Sequence, residues 1–193
     1  MTRRLFLSAS VPRPDQARFY ATADPFLIQF AVRELMTLVL GRRQIVWGGH
    51  PAITPMIWAI CADLGVAYAE AVHLFQSRHF AAVFPEENDH FSRLTVVDEV
   101  PGDRAASLVL MREAMLSGEF EAAIFIGGME GVLDEYDLFV KLHPNAVVVS
   151  VPSPGGAAQE LAMTLGQFDD RVDFSRLFSE KLGVSEAETR DQV

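Results

Sequence analysis

The stretch that decides the fold reads AAIFIGG at residues 122–128. Its first five residues are all apolar, which is typical of a parallel strand buried on both faces. The two glycines that follow indicate a tight turn at the end of this strand. A helix is predicted after the turn, from about Glu130 to Leu142. The stretch therefore belongs to a unit made of a strand, a glycine turn and a helix.

The same alternation of short apolar strands and longer helices continues on both sides of this unit. It predicts an α/β fold, doubly wound, with a mainly parallel sheet and helices on both faces. Further strands are predicted at 5–8, 45–47, 72–75, 94–97 and 146–151. Further helices are predicted at 54–64, 103–116 and 157–165.

Asp24 and Pro25 predict the start of another helix, because aspartate caps helix N-termini and proline suits the first helical position. The helix is expected to end at Gly41. Its apolar residues occupy more than one face, so it is a candidate interface between copies of the chain. We therefore expect a homodimer or a higher homo-oligomer. These apolar residues are Phe26, Phe30, Val32, Leu35, Leu38 and Val39.

The chain is predicted to divide into one α/β domain at 1–168 and a C-terminal extension at 169–193. A chain of 193 residues suffices for one large domain with its own core. The extension is more charged, but apolar residues at helical spacing predict a docked helix in it. Those residues are Phe174, Leu177, Phe178 and Leu182. The last stretch, 186–193, is interpreted as a loose acidic end.

The charge balance limits the partners that the chain can have. Lysine and arginine number 16 and aspartate and glutamate 26, which gives a net charge of −10. This argues against nucleic acid and membranes as partners, because both call for a cationic surface. The single cysteine, Cys61, excludes an intramolecular disulfide, and the five histidines lack the paired spacing of a metal site. We expect a cytoplasmic protein with no bound metal or cofactor.

Three predicted strands lead into pairs of glycines, at 48–49, 127–128 and 155–156. In an open α/β sheet, ligands bind beyond the carboxyl ends of the strands, where glycine lets the backbone approach and helix N-termini favour anions. The predicted ligand-binding residues are Ser8, Gly48, Gly49, His50, Gly127, Gly128, Met129, Glu130 and Gly131, with Arg112 as a further polar contact. The alternative is that the glycines serve only the tight turns.

Three pieces of the sequence, taken in order, resemble one known family. Residues 45–56, IVWGGHPAITPM, and residues 125–135, FIGGMEGVLDE, look like the two glycine loops of the LOG ("lonely guy") and SLOG Rossmann-like superfamily. Between them, MREAM at 111–115 resembles the helix whose Arg-Lys pair precedes the second loop. The resemblance covers roughly residues 5–151. It implies a Rossmann-like nucleotide-binding domain within residues 1–168.

LOG enzymes cleave the N-glycosidic bond of a nucleoside monophosphate with an arginine and a glutamate. By this resemblance Arg112 matches the arginine, and either Asp134 or Glu135 matches the acid. A carboxylate at that position would stabilise the positive charge that develops on the ribose. The chain departs from the LOG pattern, and the departures favour the broader SLOG group of nucleotide sensors and processors. They are Ile126 for proline, Val132 for threonine, Glu113 for lysine, His50 for the third glycine, and an inserted Glu130.

Three functions are therefore open at this level. The first is binding of a nucleotide or nucleotide-derived small molecule, as a SLOG-like sensor or processing domain. The second is a LOG-like phosphoribohydrolase in which Arg112, Asp134 and Glu135 are the catalytic candidates. The third is an oligomeric scaffold that binds no ligand and whose glycine loops are purely structural.

Overall fold

The computed structural model describes residues 3–190, in which six strands form one sheet. The strands are β1 (Arg4–Ser10), β2 (Gln44–Trp47), β3 (Val72–Ser77), β4 (Arg93–Val97), β5 (Ala122–Gly127) and β6 (Val147–Val151). Their spatial order is β4-β3-β2-β1-β5-β6, and every neighbouring pair is parallel. The predicted α/β class with a parallel sheet is confirmed.

Helices cover both faces of the sheet, as predicted. They are α1 (Ala17–Tyr20), α2 (Pro25–Val39), α3 (Thr54–Leu64), α4 (Arg104–Met115), α5 (Glu130–Leu142), α6 (Gly156–Thr164) and α7 (Phe174–Leu182). One hydrophobic core joins the sheet to α2, α3 and α7, and a second joins it to α1, α4, α5 and α6. Three 3₁₀ helices lie at 66–71, 78–83 and 86–90. Within residues 3–190, no helix is long and apolar enough to cross a membrane.

The central strands show why continuous apolar runs are needed in this sheet. Successive side chains of a strand point to opposite faces. In β5, Ile124 and Ile126 belong to the first core and Phe125 to the second. In β1, Phe6 belongs to the second core, where its ring stacks on that of Phe139 with centroids 5.8 Å apart. Both faces are buried, so both must be apolar.

The predicted helix starts at residues 24 and 103 are confirmed by their caps. The Asp24 carboxylate accepts hydrogen bonds from the amides of Phe26 (2.9 Å) and Leu27 (3.1 Å). Asp103 accepts from the amide of Ala106 at 2.9 Å. The four-residue helix α1 and the 3₁₀ helices are absent from the sequence prediction, because such short elements carry no helical periodicity.

The C-terminal helix α7 is confirmed, but residues 186–190 are not the loose end that the sequence suggested. Arg42, just beyond α2, donates to the carbonyl oxygens of Glu188 (2.7 Å) and Glu186 (2.6 Å). Arg190 in turn donates to the carbonyl oxygens of Leu40 and Thr37. Arginine side chains at the end of α2 and in the tail therefore hold this segment. Residues 191–193 of the same stretch lie outside the described residues.

The outer face of α2 carries apolar side chains, as the sequence analysis noted. Phe26 is 72% exposed, and its ring stacks on that of Phe30 with centroids 6.2 Å apart. Phe30 also meets the ring of Phe174 in α7 at 5.6 Å. Self-association through this helix stays a prediction.

The chain crosses the sheet at β1, and this crossing places the site. The strands β2, β3 and β4 lie on one side of β1, whereas β5 and β6 lie on the other. The connections after β1 and β5 therefore diverge, which opens a crevice at the carboxyl ends of the strands.

The start of α6 packs directly on the turn after β5. The Ala157 amide donates to the carbonyl oxygen of Gly128 at 2.9 Å. Gly156 has a φ of +69°, and a Cβ atom there would lie 2.8 Å from the carbonyl carbon of Gly127 and from the carbonyl oxygen of Gly128. Such contacts are far too short, and backbone atoms cannot move aside as a flexible side chain can.

We expect Gly156→Ala to lower the free energy of unfolding by about 2 kcal/mol or more, through backbone strain and this clash together. Gly102→Ala is the matched control, because Gly102 has a φ of +74° with no atom within 4 Å of the added Cβ. Gly102→Ala should lower the free energy of unfolding by only about 1 kcal/mol. Urea unfolding measures both values. If both variants lose the same free energy of unfolding, the close packing of α6 on the turn does not contribute to stability.

Candidate functional site

A cleft of about 880 Å³ lies at the carboxyl ends of the strands, where the crevice was expected from the topology. Its walls come from the segments that follow β1, β2 and β3, from one side of α4, and from the first turns of α5. This volume is within the range of pockets that hold small molecules. The cleft is the natural candidate for a ligand site.

Most of the residues predicted from the sequence lie together in the walls of this cleft. The structure thus brings distant parts of the chain to one place. The predicted residues that line it are Ser8, Gly48, Gly49, His50, Arg112, Met129, Glu130, Gly131, Asp134 and Glu135. Gly127 and Gly128 are not among the lining residues.

Gly127 and Gly128 are occupied by packing within the protein. A Cβ atom on Gly127 would lie 2.5 Å from Cδ1 of Ile28 in α2, and one on Gly128 would lie 2.2 Å from Cγ2 of Val132. The Gly128 amide donates to the carbonyl oxygen of Ser10 at 2.7 Å, which ties this turn to the end of β1. For this pair of glycines, the geometry matches the structural alternative given by the sequence analysis.

At the centre of one cleft wall, the Glu135 carboxyl group contacts residues from two other elements. Ser8, at the buried end of β1, donates its hydroxyl hydrogen to Oε2 of Glu135 at 2.5 Å. Arg112 in α4 donates from Nε to Oε1 of Glu135 at 3.4 Å. One carboxyl group in α5 therefore links the end of a central strand to a neighbouring helix. We call Ser8, Arg112 and Glu135 the carboxyl cluster.

Arg112 is held in place by two further contacts. Its Nη1 donates to Oδ2 of Asp134 at 2.9 Å, and its Nη2 donates to the carbonyl oxygen of Gly131 at 3.3 Å. The Arg112 side chain is only 10% exposed. The guanidinium group is thus almost removed from solvent, and its direction is fixed by groups of α5 on several sides.

The structure distinguishes the two acids that the sequence left as alternatives. The Asp134 side chain is 56% exposed, whereas that of Glu135 is 16% exposed. Burial raises the pKa of Glu135, and this effect exceeds the opposing effects of the Arg112 charge and of the hydrogen bond from Ser8. Glu135 is therefore the more buried of the two acids, and buried carboxyl groups with a raised pKa are common at functional sites.

His50 lines the cleft from the loop after β2. Its ring Nδ1 accepts a hydrogen bond from the Ala52 amide at 3.2 Å, and its own amide donates to Oγ1 of Thr54 at 3.0 Å. Burial, followed by the charge of Arg13, lowers the pKa of His50. A neutral ring with Nδ1 as acceptor carries its proton on Nε2, so His50 can donate a hydrogen bond from Nε2.

Glu130, in the first turn of α5, is the most solvent-exposed of the predicted contacts. Its side chain is 65% exposed, and its Oε2 atom lies 3.7 Å from Nη1 of Arg18. Arg18 also pairs with Glu160 in α6. Ion pairs this exposed contribute little to stability, so the position of Glu130 is not fixed by them.

The sequence analysis missed a second group of lining residues, which come from the loop after β1, from the end of β3 and the segment beyond it, and from α4. They are Arg13, Gln76, Phe80, Val83, Phe84, Arg104 and Leu108. Aromatic residues just after a strand end were the available signal for this wall. Among residues 3–190, the acidic residues, histidines and Cys61 form no cluster that could hold a metal ion.

Comparison with known proteins shows the family of the chain. A model described as the SLOG cluster3 family matches residues 18–182, which include Arg112, Glu135 and most of the cleft. The curated proteins give no match. The matched residues cover well over half of the chain, and they contain both of the loops and the arginine-bearing helix that resemble the superfamily. The chain belongs to the SLOG cluster3 family.

Proposed function

We propose that the chain binds a nucleotide or a nucleotide-derived small molecule in this cleft. The observation that carries the proposal is the cleft of about 880 Å³ at the point where the chain crosses the sheet. Open α/β sheets bind their ligands at this position. Membership in the SLOG cluster3 family supports the same class of ligand.

The dimensions of the cleft support an elongated ligand. Its walls extend from the end of β3 across β2 and β1 to the start of α5 after β5. Neighbouring strands are about 4.8 Å apart, so this path is roughly 14 Å long. That is the scale of an extended nucleoside monophosphate.

The charges along the cleft are compatible with an anionic group near β1. Arg13, in the loop after β1, lines the cleft and lies close enough to His50 to lower its pKa by charge. The Arg112 guanidinium group is already paired with the carboxyl groups of Asp134 and Glu135, so it is not the natural partner of an anionic ligand group. A phosphate group can then pair with Arg13 and accept a hydrogen bond from His50.

Arg13→Glu tests the phosphate contact. We expect this variant to bind nucleoside monophosphates at least about tenfold more weakly than the unmodified chain, because a charge-assisted hydrogen bond is lost and a repulsive charge is gained. Binding of the corresponding nucleosides, which lack phosphate, should change little. Isothermal titration with both sets of compounds measures the difference.

Arg33→Glu is the matched control, because Arg33 is an exposed arginine on α2 that does not line the cleft. It makes the same change in net charge and should leave both affinities unchanged. If no nucleotide gives heat with the unmodified chain, the proposed function is wrong. If both variants lose affinity for nucleoside monophosphates equally, the effect is one of net charge, and Arg13 does not contact the phosphate.

We infer a second candidate function, N-glycosidic bond hydrolysis, from the carboxyl cluster. Water would add to C1′ of the ribose, the bond from C1′ to the base would break with its electrons leaving on the base, and the proton lost by the water would end on the base. A buried carboxyl group with a raised pKa is suited to carry that proton. Arg112 would orient the Glu135 carboxyl group through its Nε hydrogen bond.

Glu135→Gln tests this chemistry, with Asp134→Asn as the neighbouring comparison. Loss of a general acid or base slows a reaction by about 100-fold or more, so Glu135→Gln should nearly abolish release of free base from nucleoside monophosphates. Asp134→Asn removes an exposed partner of Arg112 and should give a smaller loss. Chromatography of the released base measures both rates. Hydrolysis is rejected if the unmodified chain releases no base, and equal rates in both variants reject the role of Glu135.

A further inference from the structure

Gln76 is a buried polar residue in the cleft wall whose amide group is only partly satisfied. It lies near the end of β3, is 7% exposed and lines the cleft. Its Nε2 is 3.5 Å from the carbonyl oxygen of Gly48, which is the length of a weak hydrogen bond. Its Oε1 accepts no hydrogen bond from the residues that the structure describes. Oε1 is not among the fully buried polar atoms that lack a partner, so it reaches the open space of the cleft, where a ligand can donate to it.

The loop after β2 leaves room for this amide group. A Cβ atom on Gly49 would lie 1.7 Å from Nε2 of Gln76. Gly49 also has a φ of +73°, a conformation that favours glycine. The glycine at position 49 therefore allows the Gln76 side chain to occupy the space where the two strand ends meet.

The cleft beside Gln76 is lined by apolar and aromatic side chains. Phe80 and Val83 in the 3₁₀ helix after β3, Phe84 just beyond it, and Leu108 in α4 all line this end. The guanidinium carbon of Arg104 lies 5.6 Å from the centre of the Phe80 ring. Aromatic rings and a guanidinium plane are surfaces on which a flat aromatic ligand stacks.

We propose that Gln76 recognises the hydrogen-bonding edge of a nucleobase, and that the base lies at the β3 end of the cleft. This inference rests on the proposed nucleotide function and adds an orientation to it. Gln76 Oε1 accepts from an N–H group of the base, while the free hydrogen of Nε2 donates to a neighbouring acceptor. The sugar and phosphate then extend towards the loops after β2 and β1, where His50 and Arg13 lie.

Gln76→Leu tests the contact with the base. Titration of AMP, GMP, CMP, UMP and ribose 5-phosphate compares ligands that share the phosphate but differ in the base. We expect Gln76→Leu to weaken binding of the best-bound nucleotide about tenfold or more. The affinity for ribose 5-phosphate should not change, since Gln76 contacts only the base. Gln29→Leu, at an exposed position of α2, is the matched control and should change no affinity.

Gln76→Glu provides a second measurement in a side chain of nearly the same shape. A carboxylate accepts two hydrogen bonds and donates none, so it suits the two adjacent N–H groups of guanine and not the edge of adenine. The ratio of GMP to AMP affinity should rise about fivefold or more in this variant.

Two results separate this inference from the function on which it rests. If the unmodified chain binds none of the five compounds, the proposed function fails. If it binds nucleotides but neither Gln76 variant alters base preference, or if Gln76→Leu weakens ribose 5-phosphate equally, nucleotide binding stands and the role of Gln76 is wrong.

Discussion

The constraint on which the site depends is the burial of one carboxyl group at the crossing point of the sheet. Glu135 must find partners there, because an unpaired buried carboxyl group is costly. Ser8 supplies one from the end of β1, and Arg112 supplies the other from α4. These contacts join elements that are far apart in the chain and fix where the first turns of α5 lie. The wall of the cleft follows from this arrangement.

The cleft then has two chemically different ends. Near β1 and α5 it is charged and contains Arg112, Asp134 and Glu135, whereas near β3 it is aromatic and contains Phe80 and Phe84. The proposed ligand is flat at one end and anionic at the other, and its anionic end is assigned to Arg13 and not to the carboxyl cluster. The glycine pairs divide similarly by role: Gly48-Gly49 borders the cleft, while Gly127 and Gly128 leave room for Ile28 of α2 and Val132 of α5.

The local pattern of apolar residues, prolines and glycines was sufficient to predict much of this fold. The bounds of α3 and α5 agree with the sequence, because Pro55 and Gly65 mark the ends of α3 and the Gly127-Gly128 turn precedes α5. The sequence left two roles open for Gly127-Gly128, and it could not decide between them because the packing of Ile28 against this turn is a long-range contact. Gln76 was missed for a different reason: the apolar run ends at Phe75, whereas the hydrogen-bonded strand continues to Ser77. The last residues of a strand at a ligand site are polar, so the run of apolar residues is shorter than the strand itself.

The most direct test of this account is the proton affinity of Glu135 itself. Carboxyl carbon chemical shifts, measured by NMR against pH and assigned with Glu135→Gln, give its pKa in the folded chain. The account predicts a pKa above the ordinary value of 4.5 and a further rise in Ser8→Ala, because the hydroxyl hydrogen bond lowers it. A pKa at or below 4.5 would mean that the carboxyl group is well solvated or fully paired. The buried carboxyl cluster would then not be the basis of the site.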